Sequence, residues 1–279
     1  MIPAQFEYEK VTTLDEAIAA LSNDDTQILA GGHSLIPALK MRLSRPGKLI
    51  DIGGIAALKD IKEEDGEIVI GAAATHADIM YHNLIRTHLP FFTEGASTIG
   101  DIQVRNYGTI GGSIAHADPS ADWPALILAA DATIEVQGSN GRRGIKATEF
   151  FTGLFSTALQ PNEIITAVRI PMPADGTKGT YQKFAQPASR YALVGCAVVR
   201  FADGKTNIAF TGVAENAFRD TAAEQTLTGK PINEENITAA LNAALQNVDV
   251  LGDHYASVPY RRHLAKVFLR KALMAVANK

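Results

Sequence analysis

Cysteine is almost absent: the 279-residue chain holds one, Cys196. A lone thiol closes no intrachain disulfide, and it cannot hold an iron–sulfur cluster, which normally takes four thiolates. Its place in the apolar run Leu193–Val199 reads as a small buried core residue. Long hydrophobic runs are missing as well, and none approaches the ~20 residues that span a bilayer. No Lys/Arg run exceeds a pair, and 26 basic side chains face 30 acidic ones for a net charge of −4. Nucleic-acid and membrane-surface roles therefore have no electrostatic footprint. Glu7 and Glu9 stand where a signal peptide needs a basic and then an apolar stretch, so a cytoplasmic protein is expected. Two common phosphate motifs, Gly-x-Gly-x-x-Gly and Gly-x-x-x-x-Gly-Lys-Ser/Thr, do not occur. A Rossmann NAD site and a P-loop are both disfavoured.

What is present is ordinary globular material, 46% hydrophobic and 20% charged. The length exceeds the usual single core, so two domains are expected. Thr12 and Thr13 precede a capped helix over Asp15–Leu21, with Leu14, Ala17, Ile18 and Leu21 on one face. Gln27–Ala30 reads as a strand running into Gly31-Gly32, and Leu35–Leu43 as a helix that Ser34 could cap. Lys48–Ile52, Glu67–Ala72 and Thr133–Gln137 read as strands by their β-branched content. Glu63–Gly66 and Asn140-Gly141 are turn signals.

Two prolines and two glycines over Pro171–Gly179 break the pattern and mark the expected boundary between residues 1–174 and 175–279. Beyond it come strands over Tyr181–Phe184, Val194–Phe201 and Thr206–Val213, with a hairpin turn at Asp203-Gly204. Helices over Asp220–Leu227, Asn233–Asn247 and Pro259–Asn278 follow. Strands grouped before helices indicate α+β rather than a parallel α/β sheet. Among the last apolar residues, Tyr255, Val258, Tyr260, Leu264, Val267 and Phe268, most are expected in the core.

Two segments carry the chemistry: Leu29-Ala-Gly-Gly-His-Ser-Leu35 and Asn106-Tyr-Gly-Thr-Ile-Gly-Gly-Ser-Ile114. Paired glycines beside a hydroxyl let a backbone approach a ligand closely and aim several N–H groups at one point. That is an anion nest suited to a pyrophosphate, and the helix from Leu35 would add its positive end. Either turn alone is a weak signal and reads first as an ordinary tight turn; two well-separated turns of like character carry the reading together. His76, His116 and His263 show no metal-type spacing and read as structural.

Ala30-Gly-Gly-His-Ser34, Thr109-Ile-Gly-Gly112 and the following Ile114-Ala-His-Ala-Asp-Pro-Ser-Ala-Asp122 resemble the FAD-binding medium subunit of molybdenum hydroxylases, the carbon monoxide, xanthine and aldehyde dehydrogenase relatives. The resemblance covers nearly the whole chain. It implies a p-cresol methylhydroxylase-type FAD domain of two α+β subdomains, followed by a small α+β domain with an antiparallel sheet and helices. It places Ala30, Gly31, Gly32, His33, Ser34 and Leu35 around the pyrophosphate. Thr109, Gly111, Gly112 and Ser113 fall near the pyrophosphate and ribityl chain, and Gly100 makes a backbone contact. Asp122 matches an acid that accepts from flavin hydroxyls, although it could equally cap the helix after it. Ile164 or Ile165 matches an apolar contact, and Lys183 and Tyr191 fall near the isoalloxazine.

The implied FAD is noncovalent. A related family links the flavin through the histidine of a Gly-Gly-His-Ser turn, which keeps His33 open as a covalent site. Partners are implied: a large subunit with the molybdenum cofactor and a small subunit with two [2Fe–2S] clusters, in a dimer of heterotrimers. Electrons would pass from the clusters through FAD to an external acceptor, with no catalytic or metal-ligating side chain in this chain. Two rivals stand beside this reading, a self-sufficient flavin oxidoreductase of the same fold and a non-enzymatic nucleotide-binding scaffold.

Overall fold

The computed structural model describes residues 2–21 and 25–279. Three of the four sheets among the described residues organise it. The first is small and parallel, with Glu7–Lys10 and Thr26–Leu29 flanking Lys48–Asp51. Parallel neighbours need crossovers, and the short helices Leu14–Ala20 and Leu35–Lys40 lie in those connections. The first helix is held by a full capping box between Thr13 and Glu16.

The second helix ends at Lys40, earlier than expected, because Arg42 turns left-handed at φ 58°. Ser34 occupies its N-cap, but in αR geometry with no side-chain capping bond. Its hydroxyl does not cap, which corrects the sequence expectation.

The second sheet is antiparallel, in the order Ile61–Glu64, Glu67–Gly71, Ile164–Pro171, Thr133–Gly138, Gly141–Lys146. Both turn signals are hairpins within it. Each leads to or from a strand too charged to stand out, Ile-Lys-Glu-Glu and Gly-Arg-Arg-Gly-Ile-Lys. The third sheet, Lys178–Ala185, Ala192–Arg200, Thr206–Thr211 and Phe218–Arg219, is antiparallel throughout. Asp203-Gly204 turns between its second and third strands, with Gly204 at φ +88°.

A layer of helices between residues 76 and 129 joins the second and third sheets. Its centre is Asp122–Ala129, whose eight residues are all buried. Trp123, Phe92 and Phe150 fill the same core without exposure. Burying side chains of this size contributes about 1.5–3 kcal/mol each. That core runs on into Tyr181, Ala197, Val199 and Ala209 of the third sheet.

The other face of the third sheet packs on the long helix Val258–Asn278 and the helices Thr221–Leu227 and Glu234–Ala243. Asp220 and Asn233 cap those two helices through their side chains. Cys196 lies wholly inside this second core. Of the six apolar residues expected mostly inside, Leu264 and Phe268 are buried and Val267 packs against the core. Tyr255, Val258 and Tyr260 are exposed, since they precede or begin the helix where it leaves the sheet.

Candidate functional site

The two glycine turns meet. A Cβ on Gly31 would strike the Tyr107 carbonyl oxygen and lie 2.8 Å from the Gly108 Cα, so only glycine lets the first turn lie against the second. Gly32 has φ +73°, the left-handed conformation that glycine adopts without strain. The second turn is fastened to the strand end before it. His76 donates its backbone N–H to Gly108 O, Ile110 to Ala74 O and Gly111 to Ala72 O, at 2.9–3.1 Å. A Cβ on Gly111 would lie 2.6 Å from Ala72 Cβ.

Between the turns opens a cavity of about 590 Å³, within the usual range for a bound cofactor. Ala30, Gly31, Gly32, His33, Ser34, Leu35, Gly100, Thr109, Gly111, Gly112, Ser113, Asp122, Ile164, Ile165 and Tyr191 all line it.

The turns differ in what they offer. No described residue accepts from the five successive amides Gly31 to Leu35. These amides line the cavity and are not paired among the described residues, so this row is free to bind an anion. In the second turn the Ile110 and Gly111 amides are used as above, Gly112 donates to Thr109 Oγ1 and Ser113 to Thr109 O. The expectation of two equivalent nests is corrected. The second turn supplies close packing and the Ser113 hydroxyl, and the open amides belong to the first.

Two further residues depart from expectation. Ala121, not Asp122, holds the N-cap of the buried helix, and Asp122 is its first residue. The Asp122 carboxylate accepts from Tyr181 Oη at 2.5 Å and from Lys183 Nζ at 2.9 Å. Lys183 also donates to Thr98 O and, expected near the isoalloxazine, does not line the cavity. This cluster forms because the third sheet delivers Lys183 and Tyr181 to the end of the helix from Asp122. Burial pushes the Asp122 carboxyl up, while the Lys183 charge and the two hydrogen bonds oppose it. Burial also raises the Tyr181 phenol well above its ordinary value, with Asp122 adding to the effect.

His33 turns its Nδ1 back to within 2.9 Å of Gly31 O, and its exposed ring stacks on Tyr107 at 5.9 Å. Tyr191 stands on a loop whose preceding residue, Arg190, has φ +60°. Burial raises its phenol, Asp118 adds to that, and the Ser34 hydroxyl opposes it. Gly100 takes φ +46° with Val104 over it, where a side chain would collide. Ile164 and Ile165 begin the central strand of the second sheet and are buried.

Sequence reasoning missed several lining residues, among them Gly108, Val104, Ser189, Arg190 and His76. His76, structural by its spacing in the sequence, lines the cavity. Its site position depends on Trp123, 47 residues away, and nothing in its local sequence signals that. Among the described residues no cluster of His, Cys, Asp or Glu is fit to hold a metal.

A cofactor-sized cleft between an α+β pair of sheets, with a row of free amides at one wall, defines a dinucleotide-binding protein. The family model described as FAD binding domain in molybdopterin dehydrogenase matches residues 4–173, and that of the CO dehydrogenase flavoprotein C-terminal domain matches residues 179–276. The carbon monoxide dehydrogenase medium chain of Hydrogenophaga pseudoflava is 39% identical over 99% of this chain and 98% of its own length. The glyceraldehyde dehydrogenase medium chain of Sulfolobus acidocaldarius is 36% identical over 99% of this chain and 100% of its own.

In solved structures, carbon monoxide dehydrogenase from H. pseudoflava lacking the Mo-pyranopterin moiety superposes with TM-score 0.95 at 40% identity, over 99% of this chain and 98% of that one. A cyanide-inactivated Cu,Mo-CO dehydrogenase superposes at 0.96 and 34%, over 100% and 99%. The chain belongs to the FAD-binding medium subunits of the molybdopterin dehydrogenases.

Proposed function

We propose that this chain carries FAD, noncovalently, as the electron-passing subunit of a molybdenum-dependent dehydrogenase or hydroxylase complex. The observation that carries this reading is the row of unpartnered amides from Gly31 to Leu35 at the wall of a cofactor-sized cavity. Those amides bind the pyrophosphate, and the Ser113 hydroxyl and Gly112 backbone take the adjoining part of the chain. Gly100 brings its backbone to the nucleotide, and Ile164 and Ile165 provide apolar contact. Tyr191 covers the isoalloxazine end. Asp122 accepts from a flavin hydroxyl with its remaining lone pairs, while Lys183 and Tyr181 hold its carboxylate in place and act on the flavin only through it.

FAD, when bound, supplies both one- and two-electron redox chemistry, so it can link single-electron clusters to a two-electron acceptor. The protein's own part is to bind, orient and shield. The lone cysteine is buried, and the clusters and molybdenum cofactor belong to partner subunits. The partners are a large and a small subunit, in a dimer of heterotrimers. Among the described residues no helix is long and apolar enough to cross a membrane, which suits a cytoplasmic complex. Residues 1–174 and 175–279 form the two domains, with the FAD site in the first, Tyr191 reaching it from the second, and Lys183 and Tyr181 of the second holding Asp122.

The test is the colour of the purified chain and the mass of what boiling releases. A yellow protein that yields FAD is expected. FMN alone, or a colourless chain that takes up no FAD, overturns the reading, and colour retained by acid-precipitated protein would establish a covalent link. Turnover of an organic substrate by the chain alone would place it among self-sufficient flavin enzymes instead.

A further inference from the structure

We propose that His76 is a ligand-binding residue of this site, donating a hydrogen bond from Nε2 to an oxygen of the bound dinucleotide. The inference deepens the FAD reading above and rests on it. His76 opens the helix His76–Tyr81 directly after the Thr75 cap. Its imidazole is 5% exposed and lines the cavity beside Gly108.

One ring nitrogen is already committed. The Trp123 indole, a donor only, gives its Nε1–H to His76 Nδ1 at 3.0 Å. Nδ1 must then be the acceptor, and in a neutral ring the proton sits on Nε2. Burial, aided by the positive fields of His33 and Arg105, lowers the imidazole to about 3. The ring is therefore neutral at physiological pH and the tautomer is fixed.

Among the described residues nothing accepts from this Nε2–H, and the atom is not fully enclosed, so it faces the cavity that His76 lines. Nε2 lies against the Gly108 Cα, so close that a Cβ there would come within 2.6 Å of it. Gly108 in turn packs on Gly31, the first residue of the amide row. The imidazole thus opens on the same side of the cavity as the free amides. A ligand oxygen entering the cavity would take this N–H from water as its acceptor. A neutral donor also adds no charge near the flavin that would change with pH.

The experiment is ¹⁵N–¹H correlation spectroscopy of the full chain with ¹⁵N-labelled histidine, freed of flavin and then titrated. Loss of one ring cross-peak in His76→Leu assigns the resonance. FAD should shift the His76 Nε2–H proton downfield. ADP and riboflavin, added separately, distinguish a phosphate or ribose oxygen from one on the flavin ring or ribityl chain. His76→Leu should weaken FAD binding about tenfold or more, as expected for a lost buried hydrogen bond, and His76→Gln should restore part of it.

An Nε2 resonance that none of the three ligands moves overturns the proposal, as does a folded His76→Leu that binds FAD with unchanged affinity. If His76→Leu does not fold, the wild-type titration and His76→Gln decide alone. A wild-type chain that takes up no flavin would instead overturn the flavin reading, and this inference with it.

Discussion

Burial holds the His76 imidazole neutral at about 3 against an ordinary 6.5, and that shift makes stability depend on pH. The unfolded chain takes up this proton below its own value near 6.5, while the folded chain resists until about 3. The group therefore contributes fully above pH 6.5 and loses about 1.4 kcal/mol per pH unit as pH falls through the window. Urea unfolding at pH 7 and 4.5 should show His76→Gln losing about 2–3 kcal/mol less than wild type between the two. Equal losses would show that the site is wetter than its geometry indicates. A second residue-scale test concerns Lys183 and Asp122, whose side chains are 3% and 5% exposed. Lys183→Met leaves a buried carboxylate facing only Tyr181. Removing one partner of such a pair costs about 3–5 kcal/mol, and adding Asp122→Asn should recover part of that loss. If the two losses simply add, the pair is not coupled.

At the scale of elements, the cavity depends on where helices begin. Thr75 and Thr109 are both N-caps, and they bridge to each other where two helices start side by side. Thr109 Oγ1 accepts from Gly112, which seats the second turn. Thr109→Val keeps the shape but orphans that amide. The expected loss is about 1 kcal/mol in urea unfolding, with faster FAD dissociation by flavin fluorescence. Unchanged stability would mean that the backbone bonds of Ile110 and Gly111 hold the turn alone. The helix Asp122–Ala129 has a different role. Its unbroken apolar stretch reads poorly as an amphipathic pattern, because it is buried on every side between sheets.

The whole molecule is bound by one core that crosses the expected domain boundary. Tyr181, Ala197, Val199 and Ala209 belong to the core of the FAD-binding part. At the far end of the chain Lys279 Nζ bonds Glu94 and Gly179 O. Calorimetry of the full chain should therefore show a single cooperative transition. A fragment of residues 1–174 would expose that core, strand the Asp122 carboxylate, and bind no FAD. Two separate transitions, or a fragment that retains the flavin, would show that the site is complete within the first domain.

What the sequence determined by itself was local. The glycine turns, the Thr13 cap, the hairpins at Asp65-Gly66, Asn140-Gly141 and Asp203-Gly204, and the α+β order were all legible. Each rests on φ preferences or hydrogen bonds spanning a few residues. The family resemblance extended this to the lining of the cavity. Tertiary structure decided how hydrogen-bonding capacity is shared. It used up the amides of the second turn on Ala72 and Ala74 and left those of the first open. It joined Asp122 to Lys183 across 61 residues and His76 to Trp123 across 47. A buried polar group must find its partner wherever packing brings one, and no local pattern records where that will be.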